Sequence, residues 1–105
     1  MELKVYWTDF AKIELQLIYE FLKTNATILV AKNTINDITN EVKLLSNHPY
    51  LGKVEDLLLD RSRVFRVLIS KDYKVIYWIN TNKNQIEIWD VFNCKQNPVK
   101  IKRTK

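Results

Sequence analysis

The feature that most constrains the fold is a run of three strand-like stretches, Val64–Ser70, Tyr73–Ile79 and Gln85–Phe92. Each stretch is rich in β-branched and aromatic residues, and only short polar connections separate them. Neighbouring stretches are therefore predicted to pair as antiparallel hairpins. The middle stretch, YKVIYWI, is apolar at successive positions, so both of its faces need cover and it is predicted to be the central strand.

Two amphipathic helices are predicted before this sheet. An alternating stretch over residues 2–7 indicates a first strand, after which Thr8 offers an N-cap to a helix from about residue 9 to about residue 23. A short turn and a second cap, Thr27, precede a longer helix. The apolar stripe of the first helix is Phe10, Ile13, Leu17 and Phe21, widened by Ile18 and Leu22, and that of the second is Ile28, Ala31, Ile35, Ile38, Val42 and Leu45.

The element order predicts an α+β fold of the type β-α-α-β-β-β, in which an antiparallel sheet packs against an N-terminal helical hairpin. The 105 residues fit a single domain, residues 1–105. The segment KVEDLLLD is either a loop or a short edge element. The helices cover one face of the sheet, and little chain remains for the other. Ile76 and Trp78 are therefore predicted to lie on an exposed apolar surface that binds a partner.

Charge is unevenly distributed along the chain. Residues 1–60 hold nine acids and six bases, whereas residues 61–105 hold three acids and eleven bases. No acid follows Asp90, and the tail contributes five of those bases: Lys95, Lys100, Lys102, Arg103 and Lys105. This half of the molecule is predicted to present a positive surface to phosphate or carboxylate groups, including those of an acidic protein. The alternative is a solvated basic face with no binding role.

The candidate residues for binding an anionic target are Arg61, Arg63, Arg66 and Lys95, because guanidinium groups suit phosphate and carboxylate contacts. Lys74 lies on the neighbouring strand. Aromatic residues interleaved with these bases have rings on which nucleobases could stack, although most of the rings are expected in the core.

Several other chemistries have no support in the sequence. One Cys, one His and one Gly provide neither a paired metal-ligand motif nor a glycine-rich phosphate loop, so no metal and no cofactor are expected. His48 and Cys94 are interpreted as ordinary surface and strand-end residues. Asp90 and Glu87 point to opposite faces of a strand and make a poor acid–base pair. The lone Cys, the absence of a secretion signal and the absence of a long apolar run predict a cytoplasmic protein without membrane association.

Four local motifs, in this order, resemble the RelE/ParE superfamily of type II toxin–antitoxin toxins, often called plasmid-stabilisation proteins. They are the opening strand and helix start in VYWTDFAKIELQLIYEFL, the second helix and Pro-x-x-Gly turn in AKNTINDITNEVKLLSNHPYLGK, the paired strands in FRVLISKDYKVIYWI, and the closing strand and ending in IEIWDVFNCKQNPVKI. The resemblance covers nearly the whole chain. It implies a growth-inhibiting toxin that a cognate antitoxin neutralises by covering its exposed sheet and helix surface, so that Ile76 and Trp78 become the candidate antitoxin-binding residues.

The resemblance leaves two activities open. ParE-like members inhibit DNA gyrase without known hydrolysis, whereas RelE-like members cut mRNA on the ribosome without metal. For RNA cleavage the candidate catalytic residues are Arg66, Lys74 and Lys95. The RelE-like ending usually offers an Arg, often with a Tyr or His, but here the matching stretch is FNCKQNPVK. This departure favours the ParE-like activity, with an mRNA endonuclease as the first alternative and a non-toxic basic binding module as the second.

Overall fold

A computed structural model describes residues 2–95 and 98–104 of the chain. Lys105 of the predicted basic tail lies outside this part, as do Gln96 and Asn97 of the closing motif. The helices are α1, Asp9–Asn25, and α2, Ile28–Lys43, and the strands are β1, Lys4–Trp7; β2, Lys53–Val54; β3, Phe65–Ser70; β4, Tyr73–Asn80; and β5, Gln85–Asn93. Short 3₁₀ turns follow α2, β2 and β4, and a last one spans Pro98–Arg103. We call residues 98–104 the strap.

The five strands form one sheet in the order β1-β5-β4-β3-β2. The pairs β3–β4 and β4–β5 are antiparallel, as predicted from the short connections. The segment KVEDLLLD, left open as a loop or an edge element, begins with the short edge strand β2, which pairs antiparallel with β3. The expected all-antiparallel sheet is wrong for one pair, because β1 runs parallel to β5. Two helices and three antiparallel strands separate β1 from β5 along the chain, so no hairpin constrains the direction of that pair. The sheet is therefore mixed, and the predicted α+β class is confirmed.

Both predicted helix starts are confirmed. The Thr8 hydroxyl accepts a hydrogen bond from the Ala11 backbone N–H, and the Thr27 hydroxyl accepts one from the Val30 N–H. Each bond satisfies one of the donors that the first turn of a helix leaves free. These two caps fix where α1 and α2 begin, and the short turn between them makes the helices an antiparallel hairpin.

The helices cover the first face of the sheet. Ala11 of α1 and Ile38, Val42 and Leu45 of the second-helix region are fully buried against this face. The residues that they meet come mainly from β4 and β5, and those buried are Leu68, Tyr73, Val75, Tyr77, Ile86, Ile88 and Val91. Alternation along the strands places these side chains on one face, which makes this cluster the main core.

The prediction that the apolar stripe of α1 packs against the sheet is wrong. Its four leading residues, Phe10, Ile13, Leu17 and Phe21, are between 47% and 60% exposed, and α1 packs instead through Ala11 and the half-buried Leu15 and Ile18. Apolar residues surround more than half of this helix, and the small Ala11 allows the close approach. The large side chains therefore remain outside.

The second face of the sheet is covered by the strap and by the turn after β2. Ile101 of the strap and Leu58 of that turn are each 1% exposed, and they pack with Phe65, Val67, Ile76 and Phe92. The expectation that this face is bare is therefore wrong. The basic composition of the tail concealed the inward-pointing Ile101, which closes this narrow sheet together with Leu58.

Candidate functional site

The three arginines near β3 do not form one cluster. Arg61 donates hydrogen bonds from Nε to the Thr104 carbonyl at 2.7 Å and from NH2 to the Lys102 carbonyl at 2.8 Å. Both acceptors belong to the strap. Arg61, predicted as a target contact, is thus placed where it holds the strap against the body of the protein.

Arg63 lies between two indole rings on the second face. Its guanidinium carbon is 4.9 Å from the centre of the Trp78 ring and 4.9 Å from that of Trp89. A bulge in β5 opposite Ile76 and Tyr77 gives Trp89 its position, since the extra residue has no direct partner in β4. The two contacts orient a half-buried cation on an aromatic surface.

Arg66 lies on the opposite, helix-covered face, because it pairs in register with Tyr77. Its NH1 group donates to the Gly52 carbonyl at 2.7 Å, and its guanidinium carbon is 4.7 Å from the centre of the exposed Tyr50 ring. The same turn is held by the Tyr77 hydroxyl, which accepts from the Gly52 N–H at 2.9 Å and donates to the Pro49 carbonyl at 2.8 Å. The firmly held turn thus presents Tyr50 beside Arg66 of β3.

The two candidate lysines lie near the far end of the sheet. Lys74 pairs in register with Ile69 and Phe92, which places it on the second face and opposite in orientation to Arg66. Lys95 forms an exposed ion pair with Asp72, with 3.1 Å between Nζ and Oδ1. Arg66, Lys74 and Lys95 are therefore not brought together as a single catalytic group.

The predicted partner surface is not available in this conformation. Ile76 is 0% exposed and lies under the strap, and Trp78 is half-buried under Arg63. Both side chains instead contribute to the packing of the second face. Large exposed apolar residues lie elsewhere, and one row of them is on α1.

We call the row Phe10, Ile13, Leu17 and Phe21 the α1 ridge. Two clefts adjoin it on the side of β5 and the strap. The larger, of about 300 Å³, is lined by Thr8, Phe10, Trp89, Asp90, Arg103 and Thr104. The smaller, of about 170 Å³, includes Leu17, Phe21, Phe92 and Lys100 in its lining. The ridge and the clefts together form a groove between α1 and the strap.

A buried ion pair crosses the floor of this groove. Asp90, which is 1% exposed, accepts from the Nε and NH2 groups of Arg103 at 2.7 Å each, and Glu14 lies 3.4 Å from the Arg103 NH1 group. The hydrogen bond with Asp90 is the main cause that raises the pKa of Arg103 above its ordinary value. Sequence reasoning missed this pair, although an acid inside an apolar strand followed by a wholly basic tail was a usable signal.

Glu87 lies beside the aromatic surface. Burial alone would raise the pKa of its carboxyl group, but hydrogen bonds from the side chains of Asn80, Gln85 and Trp89 outweigh that effect and lower the pKa. The bond from Trp89 runs from Nε1 to Oε1 at 3.2 Å. Glu87 therefore stays ionised as an acceptor that fixes the indole against which Arg63 lies.

Metal and membrane sites find no support within residues 2–95 and 98–104. This part of the chain contains no group of three or more His, Cys, Asp or Glu side chains arranged to hold a metal ion. None of the helices in the same ranges has both the length and the apolar composition for crossing a membrane.

A family model described as the ParE toxin of the type II toxin–antitoxin system parDE matches residues 5–98. The match therefore extends from β1 to the first residue of the strap. No curated protein matches the chain.

Solved structures of similar fold come from three such systems. A chromosomal ParDE system from P. aeruginosa aligns with a TM-score of 0.72 and 18% identity, covering 88% of this chain and 96% of that one. The toxin–antitoxin complex RelBE2 of Mycobacterium tuberculosis aligns with a TM-score of 0.63 and 17% identity, covering 89% of this chain and 99% of that one. A mutant of the E. coli toxin RelE in the free state aligns with a TM-score of 0.64 and 13% identity, covering 98% of each chain. At these identities the likeness concerns the fold.

Proposed function

The chain belongs to the ParE toxin family of type II toxin–antitoxin systems, and on that premise we propose that it arrests growth by binding a protein target, DNA gyrase, without cutting RNA. A cognate antitoxin is proposed to neutralise it. The membership itself supports the toxin role. The choice of target is the finer part of the proposal and needs its own argument.

The observation that carries the choice is the separation of Arg66, Lys74 and Lys95. Attack of a 2′-hydroxyl on the adjacent phosphate needs groups that move protons and groups that stabilise the charged intermediate, all within reach of one phosphate. Arg66 and Lys74 point to opposite faces of the sheet, and Lys95 pairs with Asp72. This arrangement supports a toxin that acts by binding.

Arg63, Arg66 and Lys95 remain the proposed target contacts. Arg63 and Arg66 are each oriented on aromatic rings, so less side-chain freedom is lost when a partner binds them. Arg61 is assigned to the strap instead, since its hydrogen bonds are made to strap carbonyls.

Two assays test the target, one on the purified chain and one in cells that express it. We expect a stoichiometric excess of the chain to inhibit gyrase supercoiling, and the Arg63→Ala variant to inhibit less. Unchanged supercoiling would rule out gyrase. Primer extension on translated mRNA during growth arrest should show intact transcripts, and codon-linked cuts would establish the endonuclease alternative instead. If expression of the chain causes no growth defect, the non-toxic binding module is favoured.

A further inference from the structure

The turn over residues 49–52 is fixed to the sheet through one tyrosine. The Tyr77 hydroxyl accepts a hydrogen bond from the Gly52 N–H at 2.9 Å and donates one to the Pro49 carbonyl at 2.8 Å, so a single side chain holds both ends of the turn. Tyr77 is buried, and this burial is the main cause that raises its pKa above the ordinary value. The hydroxyl therefore stays protonated at neutral pH and keeps its donor.

Gly52 brings this turn very close to the sheet. A Cβ atom at position 52 would lie 2.5 Å from the Val67 carbonyl oxygen and 2.8 Å from the Tyr77 ring and hydroxyl. Non-bonded heavy atoms do not approach so closely, so any side chain here would push the turn away from the sheet. The position of the turn thus depends on Gly52 as well as on Tyr77.

The clamped turn places an exposed aromatic ring against an arginine. Arg66 donates from NH1 to the Gly52 carbonyl at 2.7 Å, and its guanidinium carbon lies 4.7 Å from the centre of the Tyr50 ring. Tyr50 is 67% exposed, so its ring adds little to the core. Within residues 2–95 and 98–104 Arg66 forms no ion pair, and the rest of its guanidinium can bind an acidic group.

Apolar surface and two clefts adjoin this pair. Leu51, the neighbour of Tyr50 in the turn, is also about half exposed. One cleft, of about 210 Å³, includes Tyr50 and Ile79 in its lining, and the other, of about 390 Å³, includes Leu51 and Ile69. A partner that contacts Tyr50 can therefore place side chains in both clefts.

The chemistry of this surface favours a protein partner over a nucleic acid. The larger cleft holds one base, Lys53, and one acid, Glu41, so Arg66 is not part of the run of cations that a phosphate backbone needs. Tyrosine and arginine are enriched among the residues that dominate protein–protein binding. A ring and a guanidinium that are already oriented also lose little freedom when a partner binds.

We infer that Tyr50 is a further target contact, and that it binds together with Arg66 around an acidic side chain of the target protein. Tyr77 and Gly52 are then positioning residues, because they hold the turn and do not themselves touch the target. The inference rests on the proposed function, since it takes a protein target as given. It adds a contact that the sequence did not indicate and a reason for the tight hold on the turn.

The first test compares two exposed tyrosines in gyrase supercoiling assays. Tyr50 lies in the turn, whereas Tyr6 is 47% exposed on β1 and lines neither of the two clefts. We expect Tyr50→Ala to raise the concentration of the chain that half-inhibits supercoiling about tenfold or more, and Tyr6→Ala to raise it less than about threefold. Both variants should nearly keep the melting temperature of the unsubstituted chain.

A double-substitution cycle separates positioning from a merely structural role. Tyr77→Phe removes the hydroxyl and keeps the ring, and it should weaken inhibition about fivefold. In the Tyr50→Ala background the same substitution should weaken inhibition by less than about twofold further, because it acts mainly through Tyr50. Ile101→Ala is the control for lost stability and should leave inhibition within about twofold of the unsubstituted chain.

The outcomes separate the inference from the proposed function. Inhibition by Tyr50→Ala at the same concentration as by the unsubstituted chain overturns the inference and leaves the proposed function standing. Equal effects of Tyr77→Phe in the two backgrounds overturn its positioning role.

Two further outcomes are also decisive. If Tyr50→Ala loses affinity for a DNA duplex alone, measured by fluorescence anisotropy, in parallel with its loss of inhibition, the pair binds phosphate and the inference is overturned. If the unsubstituted chain arrests growth but leaves supercoiling unchanged, gyrase is the wrong target, and equal growth arrest by Tyr50→Ala and Tyr6→Ala then overturns the inference as well. A chain that affects neither supercoiling nor growth overturns the proposed function itself.

Discussion

The two faces of the sheet are covered in different ways. The helix-covered face is closed by apolar side chains from two long helices, among them Ala11, Ile38 and Val42. The strap-covered face is closed by Ile101 of the strap and Leu58 of the turn after β2, and charged side chains attach the strap at its edges. The first cover is a broad hydrophobic layer, and the second is a narrow cap held by hydrogen bonds and an ion pair.

This difference has consequences for stability and motion. A broad apolar layer is lost only when the whole domain unfolds, whereas a short segment with few contacts can open locally. We therefore expect the strap to be the less stable cover. The predictions that follow test this contrast, from the largest expected effect to the smallest.

Core truncation on the two faces should differ in size. Ile38 and Ile101 are each 1% exposed. We expect Ile38→Ala to lower the free energy of unfolding by about 2–5 kcal/mol. Ile101→Ala should lower it by about 2 kcal/mol or less, because the strap can open locally. Urea denaturation measures both. A loss for Ile101→Ala that equals or exceeds the loss for Ile38→Ala would contradict the contrast.

The ion pair should account for much of the attachment of the strap. Asp90→Asn replaces an ionised acceptor of two hydrogen bonds from Arg103. We expect it to lower the free energy of unfolding by about 1.5–3 kcal/mol, measured by thermal or urea denaturation. Asp60→Asn is the matched control, because Asp60 also pairs with an arginine, Arg61, but is 73% exposed. A surface pair contributes little, so its loss should stay below about 1 kcal/mol. Equal losses in the two variants would argue against the ion pair.

Two arginines test the edges of the two faces. Arg61→Ala removes two hydrogen bonds to the strap, and Arg66→Ala removes one to the Gly52 carbonyl. We expect the free energy of unfolding to fall by about 1–2 kcal/mol in Arg61→Ala and by about 0.5–1 kcal/mol in Arg66→Ala. Arg66→Ala should nevertheless reduce growth arrest. If the melting temperature of Arg66→Ala is far below that of Arg61→Ala, Arg66 is a structural residue and its assignment as a target contact is wrong.

The smallest effect concerns Glu87 and pH. The pKa of Glu87 in the folded chain lies below its ordinary value of 4.5, so its contribution to stability is present above that value and is lost as the pH falls through the folded-state pKa. Denaturation midpoints at about pH 6 and about pH 3 should differ less for Glu87→Gln than for the unsubstituted chain. Identical pH dependence in the two proteins would show that Glu87 adds nothing.

The helix-covered face was largely predictable from the sequence. The caps Thr8 and Thr27 act within three residues. The apolar spacing of the second helix indicates its buried side from Ala31 onward, although Ile28, the first residue of the predicted stripe, is 50% exposed. The paired strands follow from short connections. All of these signals are local, which is why the fold class and nearly all element boundaries were within reach.

The remainder depends on residues that are distant in sequence or on a choice between similar faces. Arg61 bonds to Thr104 across 43 positions, and β1 pairs in parallel with β5, contacts that no periodicity indicates. For α1 the pattern offered two apolar sides, and the larger residues suggested the wrong one. The candidate site was predicted by residue type, but only Arg66 lies in β3, whereas Arg61 and Arg63 precede it and contact the strap and the two indole rings.

Hydrogen–deuterium exchange of the free chain tests the central claim most directly. That claim is that two covers of unequal stability close the sheet, the helices on the first face and the strap on the second. We predict that the amides of the strap exchange well before those of α2, because the strap can open while the helix-covered core stays folded. Equal protection of the strap and of α2 would contradict it.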